Sequence, residues 1–156
     1  PDGQNIVLEL GVGTGAITRF LRGAMPNRES YLGIELDGDL VKTLNKNFPD
    51  MNIIQGNAME AYSIHQELGL GKVRYLICCL PFVSLPKEVS ESVLTEIARF
   101  MDEGCELRLF QYAHGYFLPP AIKLREYLKG RYGKSHRSPL VFKNVPPAFT
   151  LTWSTI

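Results

Sequence analysis

Cysteine is scarce in this chain of 156 residues: Cys78 and Cys79 are adjacent and Cys105 stands apart. Three thiols in that arrangement make neither a disulfide framework nor a metal-ligand spacing, so reduced, buried cysteines and no metal are expected. No stretch approaches the roughly 18 uninterrupted apolar residues of a membrane span, and no secretory leader opens the chain, which points to a cytoplasmic protein. Internal repeats, low-complexity tracts and a catalytic triad are absent too. Acid is missing from one region in particular. Residues 108–156 carry eight Lys/Arg against a single acid, Glu126, whereas residues 1–107 carry nine against fifteen. A basic final third suits an anionic partner, either phosphate-bearing lipid or nucleic acid, or else forms a solvated helix face.

What the chain does have is 45% apolar residues, enough at this length for one core and one domain. The stretch that organises it is NIVLELGVGTGA, residues 5–16. Ile6, Val7, Leu8 and Leu10 form an apolar run too short for an ordinary helix, and it enters Gly11, Gly13 and Gly15, after which helical periodicity begins. This predicts a buried strand, a tight turn and a helix. Glycine at these points allows the turn and lets backbone amides approach a nucleotide-like ligand. The pattern G-x-G-x-G differs from the dinucleotide fingerprint, whose third glycine falls at Ala16, and Glu9 precedes it by two residues. An acidic side chain there favours a cationic or amine-bearing ligand over a pyrophosphate. Twenty residues past Gly15, the run YLGIEL places Glu35 where a carboxylate accepts from both ribose hydroxyls.

The same reading predicts helices over 14–24, 37–48 and 87–101, and strands near 30–35, 52–54, 73–79 and 104–113. Gly56-Asn57-Ala58 opens a further helix with Asn57 as its N-cap, and His65 within it reads as a surface residue. Segment 119–137 reads as a short helix and loop that gathers Lys123, Arg125, Lys129, Arg131, Lys134 and Arg137. Two last strands, about 140–145 and 149–155, flank NVPPA, a link short enough for an antiparallel return. The fold class expected is α/β, a Rossmann-like doubly wound sheet of about seven strands with the last antiparallel.

Glu9, the glycine turn and Glu35 together resemble the motifs of class I S-adenosylmethionine-dependent methyltransferases. ELGVGTGAIT, CLPFVSLP and KNVPPAFTLTW narrow the likeness to bacterial phospholipid N-methyltransferases, which convert phosphatidylethanolamine stepwise to phosphatidylcholine. Ribosomal RNA adenine dimethyltransferases are more distant. The resemblance implies that residues 1–156 form one methyltransferase domain, lacking the helices such enzymes usually carry ahead of the first strand. It also implies that S-adenosylmethionine is held by Glu9, Gly11, Gly13, Thr14, Gly15, Glu35 and Leu36, by Asn57 and Ala58 at the adenine, and by Cys79. Asn57 stands where the class commonly has Asp, and Cys79 where the lipid group usually has Gly. Pro81, Phe82 and Tyr112 are expected to bound the acceptor site, stabilising a developing ammonium by cation–π contact, with Tyr112 alternatively an ordinary packed tyrosine. Cys79 and Leu80 offer no Asn or Asp to grip a planar nucleobase amine, which argues against an adenine acceptor. The expected partner is therefore a phospholipid or other amine-bearing substrate, with peripheral contact at the inner face of an anionic membrane through Lys123–Arg137. A methyltransferase of RNA, protein or a small molecule is the alternative reading, and a non-catalytic nucleotide-binding domain the third.

Overall fold

Short apolar runs alternating with amphipathic stretches become, in the computed structural model, strands alternating with helices; residues 5–141 and 147–156 are described. β1 (Ile6–Leu10) leads through the glycine turn to α1 (Ala16–Ala24), followed by β2 (Tyr31–Glu35), α2 (Gly38–Asn47) and β3 (Ile53–Gln55). Then come α3 (Ala61–Glu67), β4 (Val73–Cys78), α4 (Lys87–Asp102), β5 (Glu106–Tyr112), α5 (Pro119–Tyr132), β6 (His136–Arg137) and β7 (Ala148–Ser154). Local chemistry sets several of these boundaries. Asp37 caps α2 by accepting from the amides of Asp39 and Leu40, and Pro119 sits in the first turn of α5, where its missing N–H costs nothing.

The seven strands form one sheet in the order β3-β2-β1-β4-β5-β7-β6. β1 to β5 are parallel, β7 runs antiparallel to β5 with Tyr112 opposite Ala148, and β6 runs antiparallel to β7. The chain first winds outward from β1 to β3 and then returns to β1's other side with β4. That reversal makes the carboxyl ends of β1 and β4 a topological switch point, the place where open α/β sheets bind ligands.

Leu8, Leu10, Leu32, Ile34, Leu76 and Cys78 face α4 in the larger core with Val93, Ile97 and Phe100. On the other face α1 and α2 close a smaller core around Tyr31, Leu44, Phe48 and Ile53. Each fully buried aliphatic side chain contributes about 1.5–3 kcal/mol. Gly15 shows how tightly this second layer is packed. A Cβ there would sit 2.6 Å from the Phe48 ring and 2.8 Å from Leu44, and its φ of +81° already favours glycine.

One expectation is corrected. His65 is buried rather than at the surface: its Nε2 lies 2.8 Å from the Gly71 carbonyl oxygen and its ring meets Phe100 edge-on. Its polar sequence neighbours conceal the face that α3 turns toward α4. Ahead of β7, His136–Arg137 forms the short strand β6 and Val141 makes an isolated bridge to Ala148, whereas the strand expected over about 140–145 lies mostly outside the described residues. Ser138 takes the place of a longer ladder, its amide and hydroxyl pairing with Thr150. Residues 142–146, including Asn144 and Pro146 of the NVPPA link, lie outside the described residues.

Candidate active site

The glycine turn folds down over the end of β2. The Gly11 amide donates to the Ile34 carbonyl at 3.0 Å, and the Gly13 amide to Glu35 Oε2 at 2.8 Å. The second Glu35 oxygen accepts from the Asp37 amide at 3.0 Å. Each carboxylate oxygen thus holds one amide and keeps a lone pair for a further donor. Gly13, at φ +59°, has nothing within 4 Å of where a Cβ would be, so this bend faces open space. Thr14 is exposed beside it. Leu36, 66% exposed directly after Glu35, presents an apolar side chain at the same edge.

Glu9 lies beneath the turn and is fully buried. Its Oε2 accepts from the Tyr31 hydroxyl at 2.6 Å and from the Thr18 hydroxyl at 2.9 Å. Its Oε1 is shut off from solvent and has no partner among the described residues. Burial pushes the carboxyl from an ordinary 4.5 up to about 7; the two hydroxyls oppose the rise and the Glu35 charge adds to it. Cys79 is close enough to feel this charge. Its amide donates to the Leu10 carbonyl at 3.0 Å, and burial, then Glu9, holds its thiol well above the usual range. Two carboxylates in each other's field, one with an orphaned oxygen and the other with hydroxyl-ready lone pairs, suit a ligand bearing a cationic amine and a diol.

The remaining candidates separate. Asn57 spends its side-chain oxygen on the Met59 amide at 3.0 Å, as an N-cap does, and Ala58 follows it half-buried. Pro81 is exposed, whereas Phe82 is buried and lines a cavity of about 560 Å³ between the N-terminal halves of α4 and α5. Leu85, Leu94, Leu124 and Tyr127 form its apolar walls, and Lys87 and Lys123 stand at its margin. Tyr112 does not line it. Along β5, Leu107, Leu109 and Gln111 are buried toward α4, while Tyr112 alternates to the other face, 40% exposed and stacked on His114 at 5.7 Å. Strand register puts Tyr112 on the sheet face that Glu9 occupies, so Phe82 and Tyr112 do not share one pocket.

Residues 7–104 match the family described as Methyltransferase domain. The chain belongs to this family, and with it to the class I S-adenosylmethionine-dependent methyltransferases. It is 23% identical over 103 residues to an ornithine lipid N-methyltransferase of Singulisphaera acidiphila, a match covering 64% of this chain and 54% of the relative. The chain thus spans about half the length of that curated relative. Among solved structures it is similar to a TehB-like SAM-dependent methyltransferase from Corynebacterium glutamicum, with a TM-score of 0.63 and 13% identity over 99% of this chain and 82% of that one. Magnesium protoporphyrin IX methyltransferase from Synechocystis, solved with bound SAM, gives 0.67 and 14% over 97% and 70%. An rRNA methylase from Streptococcus thermophilus gives 0.65 and 14% over 97% and 88%. These three likenesses are likenesses of fold.

S-adenosylmethionine fits the residues present: the orphaned Glu9 oxygen suits its ammonium, the Glu35 lone pairs its ribose, and the open Gly13 bend its close approach. Thr18 and Tyr31, which hold Glu9 from α1 and β2, fall outside the sequence motifs. A hydroxyl on the inward face of an otherwise apolar helix stripe was the available signal. The α4–α5 cavity had none, because it arises from how two separate helices splay.

Proposed function

We propose that this chain transfers methyl groups from S-adenosylmethionine to the amine of a phospholipid head group, in the direction of phosphatidylethanolamine to phosphatidylcholine. The observation that carries this reading is the apolar cavity between α4 and α5, which begins at Phe82, just past Leu80-Pro81 in the turn after β4, and has the dimensions and lining of a small-molecule site. A lipid whose head reaches the carboxyl ends of β1 and β4 has a place there for hydrocarbon. The name of the Singulisphaera relative, an N-methyltransferase of an amine-bearing lipid, supports the same acceptor chemistry.

When bound, the cofactor supplies a methyl group made electrophilic by its sulfonium, so the chain's own task is mainly placement. Glu9 would meet the ammonium end and Glu35 the ribose, with Gly11, Gly13, Thr14 and Gly15 curving past the amino-acid portion. Leu36, Asn57 and Ala58 would border the adenine, and Cys79, neutral beside Glu9, would close the floor. Pro81 and Phe82 would wall the acceptor on one side of the sheet edge and Tyr112 on the other, its ring facing a developing ammonium. Lys123–Arg137 would meet an anionic bilayer, each basic side chain near the surface contributing on the order of 1 kcal/mol.

Incubation of the protein with methyl-labelled S-adenosylmethionine and vesicles containing phosphatidylethanolamine tests the acceptor. Label in mono-, di- or trimethylated lipid is the expected result. An unlabelled lipid fraction, with label in RNA added alongside and transfer that falls steeply with salt, would instead select the RNA reading that the basic final third also allows.

A further inference from the structure

Most of the basic residues in the final third are solvated or paired, but Arg125 is neither, and the exposed Arg137 has no acid partner among the described residues. Arg108 pairs with Glu106 and Arg131 with Asp102. Arg125 and Arg137 make no ion pair among the described residues, and Glu126 is the only acid in that third of the chain. Both guanidinium groups nevertheless converge on one ring. Arg125 lies 3.7 Å from the Tyr116 centroid, and Arg137 lies 5.8 Å from the same centroid and 5.4 Å from that of Phe149. Arg125 Nη1 is closed off from solvent with no hydrogen-bond partner among the described residues.

A guanidinium donor buried without an acceptor is expensive, and a ring face answers it only in part. Two cations gathered on one tyrosine also repel each other unless an anion lies between them. A cavity of about 270 Å³ opens beside the cluster, bordered by Tyr116, Phe117, Arg137, Ser138 and Phe149. Phe117, 80% exposed, and Leu118 form an apolar lip next to it. The cluster follows directly on the carboxyl end of β5. Gly115, the neighbour of Tyr116, packs there against Val83, which follows Phe82 in the chain.

We propose that Arg125 and Arg137, converging on Tyr116 beside this cavity, form a phosphate-binding site. Planar forks of this kind match phosphate oxygens two at a time, which a lysine pair would not. The site takes either free phosphate or the phosphate of a lipid head group. The second source rests on the acceptor reading above; the anion site itself does not.

The test is a titration of 15N-labelled protein at constant ionic strength, following the side-chain Nε–H signals of arginine. One arm uses inorganic phosphate, the other short-chain phosphatidylglycerol below its micelle concentration. Saturable movement of the Arg125 and Arg137 signals is expected, with affinity about tenfold weaker in Arg137→Gln, whose side chain is exposed and whose loss leaves the fold standing. Arg125→Lys, which keeps the charge and loses the fork, should weaken binding as well. Tighter binding of the lipid than of phosphate assigns the site to head groups, and equal binding assigns it to the free anion. Signals that do not saturate, that move equally with chloride, or that respond unchanged in both variants overturn the site. Phosphate binding without methyl transfer to phosphatidylethanolamine would sink the acceptor reading and leave this site intact.

Discussion

Glu9 is the side chain with the most at stake. Below about pH 4.5 it is protonated whether the chain is folded or not. As pH rises to about 7 the unfolded chain has lost this proton and the folded one still holds it, so folded stability falls across that window and levels off above it. The full effect is about 3 kcal/mol. Glu9→Gln should therefore raise stability at pH 8 by about 1–3 kcal/mol and leave it nearly unchanged at pH 4, as denaturant melts at the two values would show. The same variant should lose most of its affinity for S-adenosylmethionine. A cationic amine placed on Glu9 lowers its pKa again, so cofactor binding at pH 6 should release up to about one proton, and at pH 8.5 almost none. Calorimetry in buffers of different ionisation enthalpy measures that number directly; equal release at both pH values would dissociate Glu9 from the ligand. Gly13→Ala meets only the cost of positive φ, about 1–2 kcal/mol, because a methyl there faces open space. Cofactor affinity should fall more than stability does.

Between residues, the strand, turn and helix at 5–24 were legible because each part carries its own signal: a run of β-branched residues, spaced glycines, then helical periodicity. Glu9 and Glu35 were legible for the same reason, as acids at fixed distances from those glycines. What sequence pattern does not carry is which elements meet. His65 sits among polar neighbours in the chain but turns toward Phe100 of α4, and the two-residue β6 is too short to show any alternation. Likewise Tyr112 ends β5 on the face opposite Leu109 and Gln111 because strand residues alternate, whereas Phe82, in the turn after β4, packs into the core on the α4 side. Gly15→Ala should cost more stability than Gly13→Ala, since it also drives a methyl into Phe48 and Leu44 between α1 and α2. Paired thermal melts decide this. Leu94→Trp, which fills the α4–α5 cavity, should suppress methylation of long-chain lipid with cofactor affinity intact. Tyr112→Phe asks whether the hydroxyl takes part: unchanged turnover at unchanged cofactor affinity would reduce Tyr112 to its ring.

Across the molecule, one topological event positions everything described. The chain reverses at β1, and the reversal brings Glu9, the glycine turn, Glu35 and Cys79 to the carboxyl edge of β1, β2 and β4. The segments after β4 and β5 close the same edge from the other side. α1 and α2 cover one half of a sheet face; the other half, with Tyr75 and Tyr112, carries no helix among the described residues. The central claim is that Glu9 and Glu35 hold one molecule of S-adenosylmethionine across the Gly11–Gly15 bend. Isothermal titration of S-adenosylmethionine into the wild-type protein and into Glu35→Gln tests it most directly. Saturable one-to-one binding is predicted for the wild type, weakened about tenfold or more when Glu35 loses its charge. Absence of saturable binding to the wild type, or identical affinity in the variant, would contradict it.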